Sequence, residues 1–319
     1  METENILRYV QNEGAPAVLA TLVSVRGHAY RKPGAMLLLA ADGHRIGSIS
    51  PGCLEADISA RVPRILERGR LEWVSYNTEP GTDPIWGEDM GCGGELGILL
   101  EPVEGRLLAI LREAAQTVLR GKAAWLVREL RPDQEMDYRL EDDGPIKDSV
   151  AGRGAFIFAA RLDPSRRLII FGAGEEAAAL EAMARPIGFA TAVADWREDW
   201  CSKERFPLAR TVVGDAGRIA EELRIGRSDY VVLASHHLRR DRDMLRHLLP
   251  LQPEYVGVIG SARRIGLLFG ELPIPDFVDA PAGLPIGAEG AAEIAVSIAA
   301  RLVQWRSGAE AAAWERRHA

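Results

Sequence analysis

Cysteine is scarce in this sequence, and its scarcity limits what kind of protein the chain can be. Only 3 of the 319 residues are cysteine, a small and odd number that does not make a disulfide framework. No Cys-x-x-Cys or His-x-x-x-His spacing occurs, so the pattern that is typical of a zinc site is missing.

Long apolar runs and blocks of basic residues are also missing. No apolar run approaches the roughly 20 residues that cross a bilayer, and the first ten residues contain no apolar core of the signal-peptide type. The formal charge of −7 is spread along the chain, which argues against nucleic acid and against an electrostatic membrane anchor. We therefore expect a cytoplasmic protein with neither a nucleic-acid nor a membrane partner.

Length and a change of pattern predict two domains. A chain of 319 residues favours two domains, and Asp163-Pro-Ser165 has the composition of a turn. Strands and helices alternate after this turn, which predicts a parallel sheet covered on both faces. The expected fold class is α/β: an N-terminal mixed α/β domain over residues 1–162, then a Rossmann-like, doubly wound parallel sheet over 163–319.

The apolar periodicity predicts the elements of both domains. In the first, helices are expected at 3–14, 55–68 and 105–120, and strands at 18–25, 36–40, 46–50, 71–77, 96–100, 124–130, 137–141 and 155–161. In the second, strands are expected at 168–171, 191–195, 211–214, 230–235, 255–259 and 276–278, and helices at 175–186, 216–224, 239–249, 262–269 and 288–306. A loop over 78–94 joins two first-domain strands, and a loop of this length is commonly functional or disordered.

A glycine loop opens the second domain. Gly172-Ala-Gly174 follows a buried strand and precedes a helix, an arrangement that directs backbone N–H groups at a phosphate. Asp195 ends the next strand, where a carboxylate that binds ribose is expected. We predict a phosphate-bearing ligand at the start of the 175–186 helix. The alternative is a Rossmann domain that keeps this loop only for packing.

Two later strand ends also carry polar side chains. His236 and Asp241 follow the fourth strand, and Ser261 and Arg264 follow the fifth. Ligands bind at the carboxyl ends of parallel strands, and histidine can carry protons near neutral pH. The alternatives are that the histidines cap a helix or face solvent, and that Ser261 is a simple cap beside solvated arginines.

Cys53 and Cys92 each lie in a glycine-bracketed turn of the first domain. A thiolate near a helix N-terminus is stabilised, which favours nucleophilic chemistry and soft-metal ligation. A buried apolar role is the alternative for each thiol. Arg31 lies in a second glycine-punctuated loop, where its charge can hold a phosphate or carboxylate, although a solvated loop is the preferred explanation of that segment taken alone.

These motifs resemble, in order and over nearly the whole chain, the xanthine dehydrogenase accessory family of the XdhC/CoxI type. The stretches that carry the resemblance in the first domain are Ala20-Thr-Leu-Val-Ser-Val-Arg-Gly27, Pro33-Gly-Ala-Met36, Gly52-Cys-Leu-Glu55, Gly91-Cys-Gly-Gly94 and Leu99-Leu-Glu-Pro102. Those in the second are Phe171-Gly-Ala-Gly174, Tyr255-Val-Gly-Val-Ile-Gly-Ser261 and Gly283-Leu-Pro-Ile-Gly-Ala288.

The resemblance implies a protein that binds molybdenum cofactor (molybdopterin), assists its sulfuration by a cysteine desulfurase and delivers it to a xanthine dehydrogenase-type molybdenum hydroxylase. A cofactor-binding chaperone, acting as a homodimer, is thus expected rather than a stand-alone enzyme. Cys53 and Cys92 are the expected molybdenum or sulfur contacts and, with His236, the candidate catalytic groups. The expected cofactor-binding residues are Cys53, Cys92, Arg31, Gly172, Gly174, Asp195, His236, Asp241 and Ser261.

A different class of function stays open from the same residues. The glycine loop and Asp195 suit an NAD(P)-dependent oxidoreductase, or the binding of another nucleotide. The sequence offers such an enzyme no clear acid–base set beyond His236, His237 and Asp241. A third possibility is an enzyme that handles nucleotidyl groups, but no P-loop lysine motif in the sequence supports it.

Overall fold

The computed structural model describes residues 2–12, 16–77, 94–131, 135–142 and 157–318. The contacts within the chain divide it into two units, Met1–Pro164 and Ser165–Ala319. Among the helices of the described residues, none has both the length and the apolar character needed to cross a bilayer.

In its described residues, the first unit contains two antiparallel sheets. Strands β1 to β5 form one sheet in the order β3-β2-β1-β5-β4, and β6 to β8 form the other in the order β7-β6-β8. Its elements are α1 (Glu2–Asn12), β1 (Ala17–Gly27), β2 (Met36–Ala40), β3 (Arg45–Gly47), α2 (Glu55–Arg68), β4 (Glu72–Asn77), β5 (Gly94–Pro102), α3 (Gly105–Val118), β6 (Ala124–Leu130), β7 (Met136–Glu141) and β8 (Ile157–Leu162).

The larger sheet of this unit is covered on both faces, which explains the continuous apolar run of β1. Alternate side chains of a strand point to opposite faces. Leu19 accordingly packs with α1 and α3, whereas Val18, Ala20 and Leu22 pack with α2. Burial of both faces stabilises the sheet, because each apolar side chain leaves water.

A buried ion pair connects the small sheet to the large one. Arg128 in β6 donates Nε–H to Glu101 in β5 at 2.9–3.0 Å and Nη2–H to Thr21 in β1 at 3.1 Å. Both charged side chains have no exposed surface. Charges in such a place are retained only when each is paired, so these three residues fix how the two sheets meet.

The second unit is a Rossmann sheet of six parallel strands in the order β11-β10-β9-β12-β13-β14. The order reverses between β9 and β12, which places the switch point there. Helices α4 and α8 cover one face, and α5, α6 and α7 cover the other. The elements are β9 (Arg166–Phe171), α4 (Glu175–Ala184), β10 (Phe189–Asp195), β11 (Arg210–Val213), α5 (Ala216–Leu223), β12 (Tyr230–Leu233), α6 (Leu238–Leu251), β13 (Tyr255–Val258), α7 (Ala262–Phe269), β14 (Val278–Asp279) and α8 (Gly290–His318).

The predicted fold class is confirmed, and a few element boundaries differ from prediction. The strand expected over 46–50 ends at Gly47, because the N–H groups of Ile49 and Ser50 donate to the Glu55 carboxylate instead of to a strand. The last helix extends to His318, beyond the predicted end at residue 306, since its later alanines and charged residues also favour helix.

Candidate functional site

The glycine loop lies at the switch point of the Rossmann sheet, and its two glycines have different roles. Gly172 has φ +104°, and a Cβ there would lie 2.4 Å from the Cα of Ser235. Gly174 caps α4, and the nearest atom to a Cβ there would be a Glu176 oxygen at 3.4 Å. Close approach of β9 to the end of β12 therefore requires Gly172, whereas Gly174 leaves the start of α4 open.

The start of α4 carries its own carboxylates. Glu176 Oε1 lies 3.2 Å from His236 Nε2, and Glu175 Oε1 lies 3.5 Å from Arg205 Nη2. His236 is half exposed and has φ +55°, an uncommon conformation for a residue with a side chain. These carboxylates use the favourable end of the helix dipole, which a bound phosphate would otherwise use.

Asp195 is fully buried and is held by the chain itself. Its oxygens accept hydrogen bonds from the backbone N–H of Ala173 at 2.7 Å and of Arg197 at 2.9 Å. The Arg197 guanidinium donates two more, at 2.8 and 2.9 Å. Burial raises the pKa of Asp195, but these hydrogen bonds outweigh it, so the pKa lies below its ordinary value. The carboxylate expected to bind ribose is thus already fully hydrogen-bonded.

Tryptophan rings and guanidinium groups alternate beside Asp195. The Arg197 guanidinium lies 4.6 Å from the ring centre of Trp196 and 4.2 Å from that of Trp200. Arg240 lies over Trp196, and Arg205 over Trp200. Cation–π contacts of this kind attract guanidinium groups to aromatic faces, so they stabilise a cationic rim at the end of β10.

His237 has the capping role that was the alternative prediction for this pair. It is the N-cap of α6, and its Nδ1 accepts the Arg240 N–H at 3.4 Å. The His237 ring packs edge-to-face with the indole ring of Trp196. His236 alone of the two pairs with a carboxylate at the glycine loop.

Asp241 and Arg264 form the second polar centre of this edge. Asp241 is fully buried and accepts hydrogen bonds from Ser235 Oγ and from Arg264 Nη2 at 2.6 Å. Arg264 Nη1 donates to the backbone oxygen of His236 at 3.2 Å. Burial raises the pKa of Asp241, although the hydrogen bonds from Ser235 and Arg264 act in the opposite direction. Ser261 caps α7 by accepting the Arg264 N–H, as its sequence position predicts.

A cavity of about 490 Å³ opens beside Arg264. Its polar groups come from His236, Ser261, Arg264 and Ser297, and the rest of its wall is mostly apolar. The apolar members are Ile259, Pro281, Ala282, Leu284, Pro285, Ile286, Ala288 and Ile294. A cavity of this size, with an apolar wall and a few polar groups, is typical of a small-molecule site.

Cys53 is exposed in the loop before α2, and its thiol lies 3.4 Å from Ser50 Oγ. Ser50 Oγ also accepts the N–H groups of Gly52 and Leu54 at 3.1 Å and donates to Glu55. Burial raises the pKa of Glu55, but the Ser50 hydroxyl and backbone N–H groups outweigh it and lower the pKa below its ordinary value. This hydrogen-bonded loop presents the Cys53 thiol at the surface beside Ser50.

Of the remaining predicted residues, Arg31 lies in the described part of the chain and Cys92 does not. Arg31 pairs with Glu2 and donates to Ser48 Oγ at 3.0 Å, and the hydrogen bonds to Glu2 raise its pKa. Cys92 belongs to the part of the chain that is not described, as does most of the predicted 78–94 loop. Within the described ranges, no group of three or more His, Cys, Asp or Glu side chains is arranged to hold a metal ion.

Comparisons with known proteins agree over both units. The family model described as the XdhC Rossmann domain matches residues 168–302, and the XdhC and CoxI family model matches residues 10–77. A Bacillus subtilis (strain 168) protein, which is named as a probable xanthine dehydrogenase subunit, is 32% identical over 309 residues, which cover 91% of this chain and 93% of the relative. This chain belongs to the XdhC and CoxI family. The resemblance predicted from the sequence is confirmed.

Two further matches extend the comparison within the XdhC and CoxI family. A crystal structure described as a xanthine dehydrogenase from Bacillus halodurans has a TM-score of 0.85 and 31% identity, and covers 97% of this chain and 96% of that chain. The Escherichia coli (strain K12) protein named molybdenum cofactor insertion chaperone PaoD is 26% identical over 253 residues, which cover 78% of this chain and 69% of the relative.

Sequence reasoning missed three parts of the polar sites in this family member. It gave no role to Arg197, although Asp195-Trp-Arg197 places a guanidinium two residues from a buried acid. It did not pair His236 with Glu176, which lies 60 residues earlier. It also assigned no role to Ser50 beside Cys53, although a serine three residues before the thiol is a local signal.

Proposed function

We propose that this protein binds molybdenum cofactor, holds it during sulfuration and delivers it to a xanthine dehydrogenase-type molybdenum hydroxylase. The exposed Cys53 thiol, fixed by Ser50 in its turn, carries the proposal. A thiolate suits the soft metal–sulfur centre of this cofactor. The relative named as a molybdenum cofactor insertion chaperone supports the same function.

Residues of each unit, taken by itself, have chemistry that suits one of the groups of this cofactor. The cofactor supplies a molybdenum held by a dithiolene, a pterin and a phosphate. In the first unit, Cys53, with Cys92 as its proposed second thiol, would contact the metal–sulfur group, and Arg31 is the proposed partner of an anionic group. In the second unit, the proposed phosphate-binding or ring-binding edge consists of Gly172, Gly174, Asp195, His236, Asp241 and Ser261. In this proposal a cysteine desulfurase and a second copy of the chain are the other partners.

Retention of purified molybdopterin tests this function. We expect the protein to hold the cofactor through gel filtration, and Cys53→Ala or Cys92→Ala to reduce the retained fraction. Cys201→Ala is the matched control, because that thiol is buried and donates to backbone oxygens of Val193 and Val212. Equal retention by all three variants, or none by the wild type, would contradict the proposal.

An NAD(P)-dependent oxidoreductase is the second candidate, favoured by the glycine loop and by the strand order of the sheet. Its expected ribose ligand, Asp195, already accepts four hydrogen bonds from Ala173 and Arg197. Calorimetric titration with NAD and NADP separates the two candidates, since heat of binding to either dinucleotide would favour the oxidoreductase.

A further inference from the structure

Several features of the second unit position one side chain, Arg264. Asp241 holds its Nη2 at 2.6 Å, and the backbone oxygen of His236 accepts from its Nη1 at 3.2 Å. The positive φ of His236 belongs to the turn that places this oxygen. Gly260 has no Cβ, and one there would lie 2.5 Å from Arg264 Cδ. The guanidinium is therefore held in a single orientation.

This guanidinium still has hydrogen-bonding capacity. A guanidinium has five N–H groups, and the chain's contacts with Asp241 and His236 use one on each terminal nitrogen. The side chain is 19% exposed and lines the cavity. Each terminal nitrogen thus keeps one N–H group, and a guanidinium held in place by its other contacts suits a phosphate or carboxylate in charge and hydrogen bonding.

The start of α4 is a poorer place for the same anion. Its first turn carries the carboxylates of Glu175 and Glu176, and a ligand phosphate there would meet like charge. The Arg264 side of the edge presents a guanidinium, because its own acid, Asp241, is fully buried and the nearby Glu176 carboxylate is paired with His236. The charges on the two sides of the switch point therefore favour the Arg264 side.

The wall of the cavity indicates what the anion would be attached to. Ile259, Pro281, Leu284, Ile286 and Ile294 line it, and apolar side chains gain free energy when they cover a ring. A volume of about 490 Å³ holds a ligand larger than a free ion.

We infer that this cavity is a binding site for a phosphate monoester that carries a flat heteroaromatic ring, with Arg264 on the phosphate and the apolar wall on the ring. The inference rests on the proposed function and deepens it, since a phosphorylated pterin belongs to this ligand class. It places the phosphate at Arg264 and not at the helix that follows Gly174.

Calorimetry with guanosine 5′-monophosphate, guanosine and inorganic phosphate tests the site on the full chain. The nucleotide has both chemical features, and each of the other probes has one. We expect the nucleotide to bind roughly 10-fold to 100-fold more tightly than guanosine, as one charged hydrogen-bonding group provides. We expect Arg264→Gln to abolish that difference and Arg263→Gln to keep it, because Arg263 is the exposed neighbour of the same charge.

Arg264→Gln leaves Asp241 without its cationic partner, so a second variant guards against misfolding. Asp241→Asn/Arg264→Gln removes both charges, and its circular dichroism and unfolding midpoint show whether it folds. Ile286→Asp should weaken both the nucleotide and guanosine, whereas Leu272→Asp, at an exposed leucine outside the cavity, should weaken neither. The inference is overturned if the wild type binds the nucleotide and guanosine with equal affinity. It is also overturned if Arg263→Gln loses as much affinity for the nucleotide as Arg264→Gln.

The two experiments distinguish failure of the cavity assignment from failure of the proposed function. If Cys53→Ala reduces molybdopterin retention while Arg264→Gln affects neither molybdopterin nor nucleotide, the cavity assignment is wrong and the proposed function stands. If the nucleotide binds through Arg264 but molybdopterin is not retained, the cavity assignment stands without that function.

Discussion

Arg197 is bound by Asp195 through two guanidinium hydrogen bonds of 2.8 and 2.9 Å while its planar group lies against two indole rings. In a dinucleotide-binding Rossmann domain, an acid at this strand end is available to ribose hydroxyls. Here a side chain of the protein itself takes that position. The resulting cluster is a structural unit whose strength can be measured.

Replacing Asp195 with Asn should destabilise the protein. The amide keeps the shape but removes the charge that Arg197 and two backbone N–H groups contact, so we expect the free energy of unfolding to fall by about 1.5–3 kcal/mol. Urea denaturation measures this change. Asp199→Asn, at an exposed acid in the following turn, is the control, and equal effects of the two substitutions would mean that the Asp195 contacts contribute little.

Glu55 should make stability depend on acid pH. Its pKa is below the ordinary value in the folded state, so its contribution is present above the unfolded pKa of about 4.3. That contribution is lost as the pH falls through the folded pKa. We expect Glu55→Gln to show a smaller loss of unfolding free energy on acidification than the wild type. Glu67→Gln, on the exposed face of the same helix, should keep the wild-type slope.

Removing one charge of the buried Arg128–Glu101 pair should lower the free energy of unfolding more than removing both charges. Arg128→Met alone leaves the Glu101 carboxylate buried and unpaired, and we expect the free energy of unfolding to fall by about 3–5 kcal/mol. Arg128→Met/Glu101→Leu should recover a large part of that loss, because no unpaired charge is left. A double-mutant cycle by denaturation measures the coupling, and additive single effects would show that the pair is not coupled.

Gly172 and Gly174 should respond differently to alanine. Gly172→Ala combines a positive φ with an approach of 2.4 Å to Ser235, so we expect a loss of roughly 1–3 kcal/mol in unfolding free energy. Gly174→Ala meets no such contact and should change stability by less than about 1 kcal/mol. A ranking in the reverse order would contradict the packing role of Gly172.

Local signals were enough to predict the elements, but not the partners that complete the site. The strand over Met36–Ala40 and the helix over Glu55–Arg68 have the predicted bounds, because apolar periodicity and turn residues are encoded within a few positions. The contact of Arg264 with Asp241 spans 23 residues. It depends on the adjacency of β12 and β13 in the sheet, which no short motif specifies.

Helix α8 follows every strand of the Rossmann sheet in the chain, yet Ala295, Ile298 and Leu302 from it complete the core on the glycine-loop side of that sheet. On the ribosome, of the two helices on this face, α4 alone is available to cover it until after β14 has been made. A nascent chain arrested before α8 would leave open to water and to other chains the part of this core that Ala295, Ile298 and Leu302 complete. Synthesis of this helix is therefore the step that completes the apolar core on this face of the second unit.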